Sequence, residues 1–268
     1  FLGSVTVLDL IRSDDDDLVS EIMRPAVTPL SPDDTAGEVA VLFETQDLIA
    51  AAVVDDDGRF LGRIVIDDVV DVIREQGEHA LLGQVGLDDE EDLFAPMIPS
   101  AKRRAVSLAL NLLTAFAAAW VIGLFEQTID KVVALAILMP IVASMGGIAG
   151  TQTLTLTIRG LALGQVSSHN ARQLLTKELG ISMLNGCLWA VIVGIIAWLW
   201  FQNATLGYVI AVAMVFNMVV AALAGIVVPL FLKYIHLDPA LSGVVVVTTV
   251  TDIIGFMAFL GLATLFLL

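Results

Sequence analysis

The chain has 268 residues, 57% of them hydrophobic and only 16% charged, with a mean hydropathy of +0.89. Soluble globular proteins are roughly half apolar and a quarter charged, so this composition excludes an ordinary water-soluble fold and points to an integral membrane protein. The net charge of −16 is unevenly placed: residues 1–98 hold 24 acids against 5 bases, whereas residues 99–268 hold 5 acids against 8 bases.

From the amino end, "FLGSVTVLDLI" is followed by "DDDD" rather than by a cleavage site, so no secretory signal is read there. No Met opens the chain, and a further amino-terminal portion is expected before Phe1. A similar segment, "FLGRIVIDDVVDVI", returns at 60–73. Its alignment pairs Gly3 with Gly62 and Asp9 with Asp68 at a spacing of 59 residues, which fits two copies of one small α/β unit.

Between the copies, "SPDDTAGEVAVLFE" predicts a helix capped by Ser31 or Asp33, with Val39, Leu42 and Phe43 on its apolar face. "AAAVVDDDGRF" predicts a strand and a turn. Helix, strand, "DDDG" turn, strand and helix in that order resemble a CBS domain. The resemblance covers one complete repeat, about 21–75, and the tail of another.

CBS pairs commonly bind adenine nucleotides, and their G-x-x-[ST]-x-x-D pattern is met by Gly3, Thr6 and Asp9. ATP or another adenine nucleotide at Thr6 and Asp9 is what the resemblance implies, although Val65 replaces the hydroxyl in the second copy. A packing module that binds no nucleotide is the alternative. The acidic runs at 14–17, 55–57 and 88–92 are either solvated faces or oxygen ligands for a hard cation.

A membrane span needs about 20 predominantly apolar residues. Five candidates follow, at 105–125, 131–157, 178–201, 207–232 and 240–267. The predicted organisation is therefore mixed: an α/β CBS module over 1–75, a connecting helix or linker over 76–104, and an all-α domain of five transmembrane helices over 105–268. Lys102, Arg103, Arg104, Arg159, Arg172, Lys177 and Lys233 fall on one side of the membrane and Lys131 on the other. The positive-inside rule puts the amino terminus in the cytoplasm. Five crossings then place the carboxyl terminus outside.

Asp252 lies in the middle of "VVVVTTVTDIIGFMAFLGLATLFLL". A carboxylate there costs about 2.5–3.5 kcal/mol on insertion scales and by default marks a functional site. The other acids beyond residue 98, Glu126, Asp130, Glu178 and Asp238, fall at loops or span ends, which leaves Asp252 alone at mid-span. Asp252 is expected to serve a cation pathway, or else to hold the bundle together through Thr248, Thr249 or Asn217.

In "PIVASMGGIAGTQTLTLTIRG", Pro140 and the glycines Gly146, Gly147 and Gly150 precede a polar run of Thr151, Gln152, Thr153 and Thr155. A broken backbone lining a water-filled cavity is one reading, and close glycine packing is the other. The lone Cys187 stands in an apolar run, so no intrachain disulfide framework is possible.

With "TTVTDIIGF" and five spans behind a CBS module, these residues resemble the MgtE family of magnesium channels. The resemblance implies a homodimer in the lipid bilayer of the plasma (inner) membrane, with the ion path on the two-fold axis. Asp252 matches the family's pore acid, which holds a hydrated ion. Pro140, Gly146, Gly147, Gly150 and Gln152 match the family's P-x5-G-G-N-x-G-x-Q segment, with Ile148 in place of the Asn, and Thr248 and Thr249 join the expected pore lining. Cytoplasmic magnesium bound by the CBS pair and connecting helix closes the family's channel, and the positions that match are Asp47, Asp68 and Asp71. Acids further along that helix are replaced around "REQGEHA" at 74–80.

Mn2+, Co2+ or Ca2+ could meet the same oxygen ligands. An ion- or proton-coupled carrier and a nonconducting sensor remain as rivals. An enzyme is not expected: an intramembrane aspartyl protease needs two carboxylates sharing a proton, and only one lies at mid-span. His79, His169, His236 and Cys187 are too scattered for a zinc site, and nothing points to a nucleic acid partner.

Overall fold

The computed structural model describes residues 1–25, 29–83, 96–162 and 170–268, together with Val85, Leu87, Phe94, Gln165 and Val166. Two compact units result, Phe1–Gly77 and Glu78–Leu268. The acidic run at 88–92 and His169 lie outside the described residues.

The first unit opens with β1 (Gly3–Ser4), α1 (Val7–Arg12), α2 (Val19–Ile22) and β2 (Arg24–Pro25). β1 and β2 pair antiparallel, Gly3 opposite Pro25 and Ser4 opposite Arg24. The complete repeat follows: α3 (Ala36–Gln46), β3 (Ala50–Val54), β4 (Phe60–Val65) and α4 (Ile66–Gly83). α1 and α4 start 59 residues apart, each behind a strand, as the repeat predicts.

α3 begins at Thr35 rather than at Ser31 or Asp33. Thr35 accepts from the Glu38 amide while Glu38 accepts from the Thr35 amide, forming a capping box. Ser31 and Asp33 belong to the turn before it, where the Ser31 amide donates to Asp34 Oδ2 at 2.7 Å. α3 ends at Asp47, whose φ of 51° lies in the left-handed region that stops a helix.

β3 and β4 form an antiparallel hairpin from Ala50 opposite Val65 to Val54 opposite Phe60. Its turn is held by Asp55 Oδ1, which accepts from the amides of Asp57 and Arg59. Gly58 takes φ +75°, a conformation glycine adopts without strain. Leu30, Val39, Ala40, Phe43 and Val69 form the core, where the inner face of α3 and one position of α4 meet the hairpin.

The second unit holds α5 (Met97–Gly123), the short α6 (Glu126–Lys131), α7 (Ala134–Ala162), α8 (Ala171–Phe201), α9 (Ala204–Tyr234) and α10 (Pro239–Leu267). The five long ones are long and apolar enough to cross a membrane, so the chain is a multi-pass membrane protein. α5 and α8 begin about two turns before the apolar windows suggest, because a helix does not stop where hydropathy falls.

Pro140 does not break α7, which is helical from Ala134 to Ala162 with the proline on its exposed side. The broken-backbone expectation is thereby corrected. A proline ring removes one helical hydrogen bond without ending a helix whose neighbours hold it in place.

α9 is the centre of the bundle and packs against α7, α8 and α10. Its buried face alternates Gly and Ala with larger apolar residues. Gly194 of α8 and Gly207 of α9 bring backbones together: a Cβ on Gly207 would lie 2.6 Å from the Gly194 carbonyl oxygen. Such small residues let helices approach where lipid supplies no hydrophobic drive between them.

Candidate functional site

α7 has two faces. Gly146, Gly150, Thr153, Leu154 and Thr157 are buried. A Cβ at Gly146 would fall 2.2 Å from Asn217 Nδ2, and one at Gly150 would fall 2.6 Å from a Val247 methyl. These two glycines are packing surfaces, not lining.

The opposite face carries Ser144, Gly147, Ile148, Thr151, Gln152 and Thr155, which recur at helical spacing and form one stripe. Across from them α10 contributes Thr248 and Asp252, and the two walls enclose a groove of about 950 Å³. Of the residues expected to line a path, Gly147, Gln152, Thr248 and Asp252 do so. Pro140 is exposed elsewhere on α7, and Thr249 and the two packing glycines lie outside the groove.

The groove's polar side chains are largely quiet. Thr151 Oγ1 donates to the Gly147 carbonyl at 2.9 Å, and Thr248 Oγ1 donates to the Val244 carbonyl, also at 2.9 Å. Thr249 Oγ1 donates to Val245 and Asn217 Nδ2 to Val142. None of the three groups expected to clasp Asp252 reaches it. Among the described residues the half-buried Asp252 carboxylate has no hydrogen-bond or ion-pair partner.

Sequence reasoning missed one acid. Glu178 is 5% exposed inside α8 and accepts a hydrogen bond from Thr153 Oγ1 at 3.3 Å. Asp252 is therefore not the sole carboxylate inside a spanning helix. The signal available was Thr153 itself, a buried hydroxyl on the face of α7 that turns away from the groove.

In the first unit, Thr6 and Asp9 are engaged with each other. Thr6 Oγ1 donates to Asp9 Oδ2 at 2.6 Å, and the Asp9 amide donates back to Thr6 Oγ1 at 3.1 Å. Arg24 Nε lies 3.2 Å from Asp9 Oδ2. The pair thus caps α1, and the corresponding Asp68 accepts from the Val65 amide at 3.3 Å. Asp47, Asp68 and Asp71 are all exposed. Among the described residues no three His, Cys, Asp or Glu side chains gather closely enough to hold a metal ion.

Residues 139–262, which contain both walls of the groove, match the MgtE model, described as a divalent cation transporter. Residues 19–75 match the CBS domain. The chain thus carries an MgtE-family domain behind a CBS domain.

Three curated relatives are each called magnesium transporter MgtE. That of Bacillus subtilis is 31% identical over 268 residues, covering 99% of this chain and 59% of the relative. The Enterococcus faecalis protein is 29% identical over 266 residues, with 99% and 58% covered. The Thermus thermophilus protein is 32% identical over 268 residues, with 99% and 59% covered. The chain thus spans about three-fifths of the length of these relatives, which are transporters rather than enzymes.

The two kinds of α7 glycine respond differently to an added methyl. Gly146→Ala drives it into Asn217 and destabilises the detergent-solubilised protein by about 1–3 kcal/mol, whereas Gly147→Ala, whose nearest neighbour is Thr248 Cγ2 at 3.8 Å, is close to neutral in a thermal melt.

The Thr6 hydrogen bond, followed by the one from Arg24, holds the Asp9 carboxyl below the ordinary carboxylate range. A depressed folded value means that Asp9 stabilises the fold above its unfolded pKa and loses that contribution as pH falls through the folded one. Carboxyl chemical shifts should place the Asp9 midpoint below those of exposed aspartates, and Thr6→Val should raise it.

Proposed function

We propose that the chain forms a homodimeric Mg2+ channel of the plasma membrane, with the Asp252 groove as half of the ion path. The observation that carries this reading is the unpartnered Asp252 carboxylate facing a polar α7 stripe. A charge left in a low-dielectric setting needs a counter-charge, and among the described residues no Lys or Arg lines the groove. A passing cation supplies it.

The groove has two walls, and a second copy facing it would close the path and bring a second carboxylate. Mg2+ gives up its water reluctantly, so an arrangement of hydroxyls, an amide and carboxylates suits a hydrated ion better than a close-fitting cage. Ile148 borders the same groove, and its apolar side chain removes one such outer contact. The names of the relatives agree with magnesium as cargo.

The distribution of Lys and Arg supports a cytoplasmic amino terminus and an external carboxyl terminus. Cytosolic Mg2+ acting on the CBS module would gate the path through Asp47, Asp68 and Asp71. Because these acids stand on the surface of one copy, a complete regulatory site would draw ligands from beyond it. An adenine nucleotide at the CBS module is the other proposed regulator, and it would have to displace the Thr6–Asp9–Arg24 contacts.

Glu178 favours a second reading, a proton- or ion-coupled carrier, because it is a second carboxylate inside a spanning helix, held among the described residues by the Thr153 hydroxyl. Liposome flux read with a Mg2+-sensitive dye separates the two. Wild type should take up Mg2+ without an imposed pH gradient. Asp252→Ala should lower that uptake by about tenfold or more, equivalent to about 1.4 kcal/mol of lost ion stabilisation. Uptake that requires the gradient makes the protein a carrier, and normal uptake by Asp252→Ala removes the acid from the path.

A further inference from the structure

Asn217 sits midway along α9 with 1% of its surface exposed. Its Nδ2 donates to the Val142 carbonyl of α7 at 3.0 Å, and that donation sets which way the amide points. Its Oδ1 is the one buried side-chain polar atom without a hydrogen-bond partner among the described residues.

Two glycines enclose the amide. A Cβ at Gly146 of α7 would fall 2.2 Å from Nδ2 and 3.2 Å from Oδ1, and one at Gly255 of α10 would fall 2.7 Å and 3.0 Å from the same atoms. The bare oxygen is therefore covered by glycine backbone instead of by a donor. For holding helices together, an amide whose buried oxygen has no hydrogen-bond partner among the described residues is a poor choice beside a well-packed apolar residue.

What the amide does is touch α7 and α10 at once. Gly146 adjoins Gly147 in the α7 wall of the groove, and Gly255 lies three residues beyond Asp252 in the α10 wall. We infer that Asn217 is a positioning residue for ion passage, a spacer that fixes the separation of α7 and α10 and hence the distance from the Asp252 carboxylate to the α7 stripe. The inference rests on the transport reading above.

The consequence is selectivity. Discrimination between Mg2+ and Ca2+ depends on cavity size and on how much water each ion keeps, and the pull of Asp252 on an ion varies with distance. A change of spacing therefore alters which ion passes and how tightly it is held, without touching the acid.

The test is liposome flux of Mg2+ and of Ca2+ through the full chain as wild type, Asn217→Ala, Gly255→Ala and the double variant, with thermal stability followed in parallel. Asn217→Ala is expected to shift the Mg2+/Ca2+ flux ratio or the half-saturating Mg2+ concentration by about threefold or more, within the coupling measured between contacting residues. Gly255→Ala, which pushes against the amide, shifts the same quantities, and the double variant returns towards wild type because the clash is relieved.

Lowered stability with an unchanged ratio and half-saturation means that Asn217 is only glue, and the inference is overturned. Should Asn217→Ala not assemble, the milder Asn217→Ser decides by the same criterion. If wild type carries neither ion, the transport reading fails first and takes this inference with it.

Discussion

The close seating of α9 against α7 and α10 is the interaction on which the rest of the membrane domain depends. Lipid tails are as apolar as leucine, so helices in a bilayer associate through packing and a few hydrogen bonds rather than by escape from water. Here the packing is made by glycines: a Cβ on Gly225 of α9 would fall 2.7 Å from the Thr153 Cβ and 2.9 Å from the Gly150 carbonyl oxygen. With the small face of α7 spent on α9 and α10, the hydroxyls of Thr151 and Thr155 and the amide of Gln152 turn the other way. The same contact brings α10 alongside, so the stripe faces Asp252 across the groove.

That arrangement resolves a conflict between stability and chemistry. An acid in a spanning helix would be costly against lipid and is neutralised when a neighbour donates to it. The helix-bound threonines around Asp252 satisfy carbonyls of their own helices instead, which leaves the carboxylate to face the groove. In the proposed channel this lack of a fixed partner is the useful property, because a permanent ion pair would compete with the cargo. Glu178 shows the other outcome, a carboxylate taken into the bundle and held by a hydroxyl.

Much of this was legible in the sequence, for identifiable reasons. Five spans and the lone mid-span acid stand out because hydropathy and charge are local properties of the chain. The 59-residue repeat was visible because a strand-to-helix step needs the same residue types each time. The sides of α7 were less legible: Thr151, Gln152, Thr153 and Thr155 read as one polar face, yet at about 100° per residue Thr153 turns to the opposite side and meets Glu178. Pro140 looked like a break because local rules penalise it, whereas neighbouring helices keep α7 continuous. Glu178 looked terminal because α8 starts before its apolar window does. The cap of α3 was open to sequence reasoning, since Thr35 and Glu38 have the capping-box spacing.

Thiol accessibility along α7 tests the central claim most directly, that a wet, ion-occupied groove runs between the Asp252 wall and the α7 stripe. In a Cys187→Ser background, cysteines placed singly at Thr151, Thr153, Thr155 and Thr157 would be exposed to a small membrane-impermeant thiol reagent with and without Mg2+. The account predicts labelling at Thr151→Cys and Thr155→Cys that slows when Mg2+ is added, and none at Thr153→Cys or Thr157→Cys, which are buried on the side of α7 away from the groove. Equal labelling at all four positions, or labelling at the stripe that Mg2+ leaves unchanged, would contradict it.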